Sequence, residues 1–205
     1  MLSPELERFV RDWLSNADDC SDTSVDGCYD KFFTLFVVFN RLYAEATFEL
    51  ARRGTINLPP NRPLPDRNGA TTYTFQLIGA TDFEDLYDNR LARNVGEIAA
   101  LIDEERFFIK LSVPDGDRQR DKDLDLLARL RSSGETQALA VLDLIYSIRC
   151  NLFHGDKAFE PIQTELLRPA IAVLSGVIES LHKALNQRAG QQGHPLWVGP
   201  TALRP

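Results

Sequence analysis

At 205 residues the chain is long enough to bury a full hydrophobic core as one domain, without disulfide or metal staples. Its formal net charge of -7 excludes a surface that attracts nucleic acid as a whole, because nonspecific affinity comes from phosphate neutralisation by Lys and Arg. Cys20, Cys28 and Cys150 are odd in number and lack CxxC spacing, which excludes a zinc or dithiol signature and predicts a reduced, cytoplasmic setting.

The opening MLSPELERFV carries acids where a secretory leader needs basic and then apolar residues, so no signal peptide is expected. Ser3-Pro4-Glu5 reads as a helix start, with a capping hydroxyl, a proline suited to the first turn and an acid at the positive end. That helix is predicted to reach about Ser15. Ala17 to Gly27 has loop composition.

From Asp26 to Arg53, Phe32, Leu35, Phe36, Phe39, Leu42, Ala46 and Leu50 recur at helical spacing. Phe33, Val37 and Val38 widen the stripe, so this central helix should contact neighbours on two sides. Its longest apolar run, Phe32 to Phe39, is far below the roughly 18 to 20 residues that cross a bilayer, so no membrane association is expected. Gly54 supplies a stop.

Four prolines between Asn57 and Asn68 predict a Pro-rich loop insertion. Thr71 to Leu77 is β-leaning without a partner and reads as extended loop. Helical periodicity resumes near Thr81 and runs toward Leu111, as two helices or one bent one, and Pro114 to Lys122 reads as a surface loop. A helix over Asp123–Arg131 should lead into a longer one with Ala138, Val141, Leu142, Ile145, Ile148 and Leu152 on its apolar face, ended by Gly155. The last helix, Gln163 to Gln187, contains Pro169, which should kink it or delay its start. The prediction is therefore an all-α bundle of about five to seven helices over 1–189, with 190–205 as a tail around Trp197.

The chemistry-bearing string is Tyr146-Ser147-Ile148-Arg149-Cys150-Asn151-Leu152-Phe153-His154-Gly155-Asp156-Lys157. On spacing alone, His154 can serve the negative end of a helix, Gly155 its left-handed cap and Arg149 a surface ion pair. Arg149 follows Ile145 and Leu142 by one and two turns, however, so it borders the buried stripe.

The string resembles the R-x4-H signature of the HEPN superfamily, with Arg149 as the arginine and His154 as the histidine. Phe36-Val37-Val38-Phe39-Asn40-Arg41-Leu42-Tyr43 resembles an aromatic stretch that precedes this motif in bacterial HEPN families. The resemblance covers roughly Asp26 to Lys157. It implies a HEPN-like helical bundle and metal-independent RNA cleavage, of defence or toxin–antitoxin type, giving a 2′,3′-cyclic phosphate. Arg149 and His154 would be catalytic, Asn151 and Lys157 substrate-binding, and Asn40, Tyr43 and Gly155 supporting. Asn40 also reads as a satisfied polar group buried inside a helix pair. Cys150 stands where many HEPN nucleases have a polar residue after the arginine, and Asp156 stands where the toxins paired with nucleotidyltransferases carry a tyrosine.

Histidine can take or give a proton near neutrality, and a guanidinium can hold two phosphate oxygens, which is what cleavage at a 2′-hydroxyl needs. Five residues advance a helix by about 500°, leaving the two motif side chains about 140° apart, so one chain does not aim both at one point. A homodimer, which the resemblance also implies, would resolve this. RNA and an antitoxin or regulatory protein are the other expected partners. His154, His182 and His194 offer no paired-ligand spacing, so no metal and no cofactor are expected. The alternatives are a catalytically inactive HEPN-like module that binds RNA, nucleotide or protein, and a helical protein unrelated to HEPN.

Overall fold

The computed structural model describes residues 2–59, 63–112, 116–153 and 160–190. Among them every regular element is helical, in an all-α bundle of seven helical bodies, and one isolated bridge pairs Leu111 with Arg118. None of these helices is long and apolar enough to cross a membrane.

α1, Pro4–Asp18, begins where expected, with Ser3 accepting from the Leu6 amide and proline in the first turn. α2, Val25–Arg52, is capped by Ser24, whose hydroxyl accepts from the Gly27 amide. It buries Phe32, Leu35, Phe36, Val38, Phe39, Leu42 and Tyr43, a band too wide for one face. It accordingly packs against α1 on one side and, on the other, against the last helix, α9, Gln163–Gly190. The free end of α9 is tied to the N-terminus, since Asn186 accepts from the Leu2 amide and donates to Glu7.

The extended loop expected over Thr71 to Leu77 is instead helical. α3, Asp66–Asn68, runs into a π turn, Gly69–Tyr73, and on into α4, Thr74–Ile78. Burial of Phe75, Leu77 and Ile78 in the core outweighs a β preference that spans only about 1 kcal/mol. The threonines that made the stretch look strand-like turn their hydroxyls back on the helix, Thr71 to the Arg67 carbonyl and Thr74 to that of Gly69, each at 2.8 Å. The Pro-rich segment thus ends earlier than expected, at Pro65. Gly79, at φ +94°, then breaks the chain direction in a region that costs other residues strain.

α5, Ala80–Leu86, a second π turn, Tyr87–Leu91, and α6, Ala92–Asp103, form the next body. It stops eight residues short of the expected Leu111. Residues 107–112 are non-helical and are fastened by Asp123, whose Oδ1 accepts from the Ile109 and Lys110 amides at 3.2 and 2.9 Å. α7, Arg120–Leu130, starts inside the stretch expected as loop, and α8, Gly134–Phe153, follows after a glycine turn. Pro169 neither delays nor ends α9, which starts at Gln163 and carries it as an interior residue. The tail with Trp197 lies outside the described residues.

Candidate functional site

α8 is apolar on most of its surface, with Ala138, Val141, Leu142, Leu144, Ile145 and Ile148 buried. Arg149 comes one turn after Ile145, and its side chain is 26% exposed, at the border of the buried stripe as expected. Its guanidinium lies 5.5 Å from the centre of the Phe36 ring and 4.0 Å from Asp66 Oδ2. Asp66 is a hub. Tyr43 donates its hydroxyl to Oδ1, and Tyr146 donates to Oδ2 at 3.0 Å. Burial, and after it the hydrogen bond to Asp66, push both phenols well above the ordinary tyrosine range, so near neutrality they act as donors.

The two segments that carried the family resemblance therefore meet in space: Phe36 under Arg149, and Tyr43 bonded to the carboxylate that faces it. Asn40, between them in sequence, is exposed, which corrects the reading that it is buried in a helix pair. Phe36 and Tyr43 turn inward, and the helical phase carries Asn40 outward. His154, Gly155 and Lys157 lie outside the described residues, as does Asp156.

Asn151 is on a different face. Its amide donates to the Ile109 carbonyl at 2.9 Å and lines a cavity of about 710 Å3 between α8, α7 and residues 109–112. Arg149 is not part of that lining. Two residues along a helix are about 200° of rotation, which separates Asn151 from Arg149, while Tyr146 lines the cavity and also bonds the Asp66 carboxylate beside Arg149.

The cavity has a charged floor that sequence reasoning did not anticipate. Asp143, 9% exposed, receives Lys110 at 2.7 Å, Arg129 at 3.4 Å and Arg67. Lys110 also donates to Ser147 at 2.8 Å. Burial pushes the Asp143 carboxyl up, but the Lys110 bond and the charges of Lys110, Arg67 and Arg129 outweigh it and hold the group below the usual 3.8. One signal was available, since Asp143 is the only charged residue between Glu135 and Arg149 and interrupts an otherwise apolar run. Nothing local marked Asp66 or Arg67, whose roles depend on the turn that brings α3 to α8.

Among the described residues no group of three His, Cys, Asp or Glu side chains is arranged to hold a metal ion. Compared with protein-family models, curated proteins and solved structures, the chain has no significant match.

Proposed function

We propose that this chain is a HEPN-type, metal-independent endoribonuclease that uses Arg149 and His154. The observation that supports this most is the meeting of Tyr43 and Arg149 at Asp66, with the Phe36 ring against the Arg149 guanidinium. It gives the arginine a fixed seat at the helix border, and placing a guanidinium before substrate arrives is the arrangement that favours charge stabilisation. In this reading the 2′-oxygen attacks phosphorus as its proton passes to a base, and the 5′-oxygen leaves with a proton. His154 serves in proton transfer, and Arg149 holds the phosphate oxygens. The product is a 2′,3′-cyclic phosphate and a 5′-hydroxyl. A homodimer brings a second Arg149 and His154 to the same cleft, and an antitoxin or regulatory protein is the partner that keeps such an activity in check.

One observation favours a second reading. Asp66 already offers Arg149 a counter-charge, so the arginine can serve as a structural ion pair in a catalytically inactive module that binds RNA, nucleotide or protein. Incubating the protein with total RNA or transfer RNA in chelator, wild type beside His154→Ala, separates the two. Cleavage by the wild type alone supports the nuclease, and intact RNA with both supports the inactive module.

A further inference from the structure

The cavity beside Asn151 is a second locality with its own chemistry. Four cations line it, Arg67, Lys110, Lys122 and Arg129, against two carboxylates, Asp125 and Asp143. On a chain of net charge -7, this is a local surplus of positive charge. Asp143 gathers three of the cations from three different parts of the fold: Arg67 from α3, Lys110 from the 107–112 segment and Arg129 from α7. A buried carboxylate that holds three cations together offsets their mutual repulsion and leaves donor capacity over, because a guanidinium has five N–H groups and an ammonium three. Arg67 remains 57% exposed and stacks over the Tyr146 ring at 5.6 Å. Lys122 is exposed at the rim with no ion pair among the described residues. Ile109, Leu111 and the Tyr146 ring supply apolar wall, and about 710 Å3 is within the range of small-molecule sites.

We propose that this cavity binds a terminal phosphate, that is, a phosphate monoester with a small organic body, held by Arg67, Lys122 and Arg129. The charge surplus selects the class. A monoester carries about -1.5 to -2 at neutral pH and matches two spare positive charges, whereas a carboxylate or an internal phosphodiester brings only one. The inference goes beyond the nuclease reading and does not require cleavage, since Arg149 is not among the residues that line this site.

The same chemistry could come from a free mononucleotide or from the 5′-phosphate of an oligonucleotide. Calorimetric titration with adenosine monophosphate, adenosine, and a short oligoribonucleotide with and without 5′-phosphate tests the class and separates the sources. Adenosine monophosphate contains no phosphodiester, so its binding is read independently of any nuclease activity. At least one phosphorylated ligand should bind about tenfold or more tightly than its unphosphorylated partner, the loss expected for one or two charge-assisted hydrogen bonds. Lys122→Ala should weaken that binding several-fold, and Arg67→Ala should do the same. Arg93→Ala, on the exposed face of α6, should leave it unchanged. If neither phosphorylated ligand binds at millimolar concentration, if each binds no more tightly than its unphosphorylated partner, or if the Lys122→Ala and Arg67→Ala double variant binds as wild type, the cations serve the carboxylates alone and the proposal falls.

Discussion

Two buried aspartates show how one residue type is driven in opposite directions by what surrounds it. Asp143 is surrounded by three cations and sits below its ordinary value, so its contribution to stability is fully present above about pH 4 and is lost as pH falls through the lowered folded value. Asp123 is fully buried, accepts two backbone amides on Oδ1 and has no hydrogen bond at Oδ2 among the described residues. Burial outweighs those bonds and the nearby Arg120 and Lys110 charges, and raises its value. The fold therefore holds the Asp123 proton more tightly than the unfolded chain does, and its contribution is most favourable in acid and declines as pH rises through the raised value. Asp143→Asn should cost about 3 to 5 kcal/mol at neutral pH, the range for breaking a buried pair, with the deficit shrinking below about pH 4. Asp123→Asn keeps a carbonyl acceptor for the Ile109 and Lys110 amides and should gain on wild type as pH rises from acid to neutral. Urea unfolding midpoints of both variants across that range check the signs; parallel curves for the two would refute the assignment.

At the scale of elements, what could be read from sequence was what periodicity encodes. α1, α2, α8 and α9 each carry an apolar stripe long enough to outvote local noise, and Ser3 and Pro4 marked a start that the hydroxyl cap realises. Thr71 to Leu77 was misread because its local preference and its tertiary burial disagree, and a stretch of seven residues is too short for periodicity to arbitrate. The site divided the same way. Arg149 and Tyr43 were found through a motif, while Asp66, Arg67 and Lys110 join the site through long-range contacts that leave no trace in spacing. The π turn that carries Asp66 and Arg67 to α8 depends on Gly69, where an added Cβ would lie 2.9 Å from Tyr43 Cδ2 and 3.3 Å from Thr47 Oγ1. Both neighbours are buried, so neither can simply swing away. Gly69→Ala should cost about 1 to 3 kcal/mol by overpacking, and the displaced Tyr43 should loosen its bond to Asp66. In the nuclease reading its rate should drop more than its stability explains, since Asp66 faces Arg149. A variant that melts like wild type would show that the turn absorbs the methyl.

For the whole molecule, an acidic chain that handles RNA must do so through local charge, which sets how any cleavage should respond to solution conditions. Cleavage should persist in EDTA and fall steeply as salt rises; abolition by chelator with recovery on added magnesium would overturn the mechanism. His154→Ala should lose about 10²- to 10⁴-fold in rate while retaining affinity, and Arg149→Ala should lose both. The remaining question at this scale is assembly. The expectation that Arg149 and His154 stand about 140° apart comes from ideal helix spacing, with His154 outside the described residues, and in the nuclease reading a pair of chains reconciles it. α2 carries apolar surface available to a partner copy: Val37, which follows Phe36 in sequence, is 37% exposed, and Phe33, one turn before it, is only partly buried. A lone exposed valine needs no explanation, but one on the helix that carries Phe36 is a position at which an interface can be tested without disturbing the core. Sedimentation at micromolar concentration should give a dimer. Val37→Asp should shift it to monomer with an unchanged melting temperature, because the side chain already meets solvent in the single chain. Cleavage should fall with the dimer fraction. If wild type sediments as a monomer at these concentrations yet cuts RNA, the paired-motif cleft is wrong. If Val37→Asp leaves a dimer intact, the partner copy sits on another face.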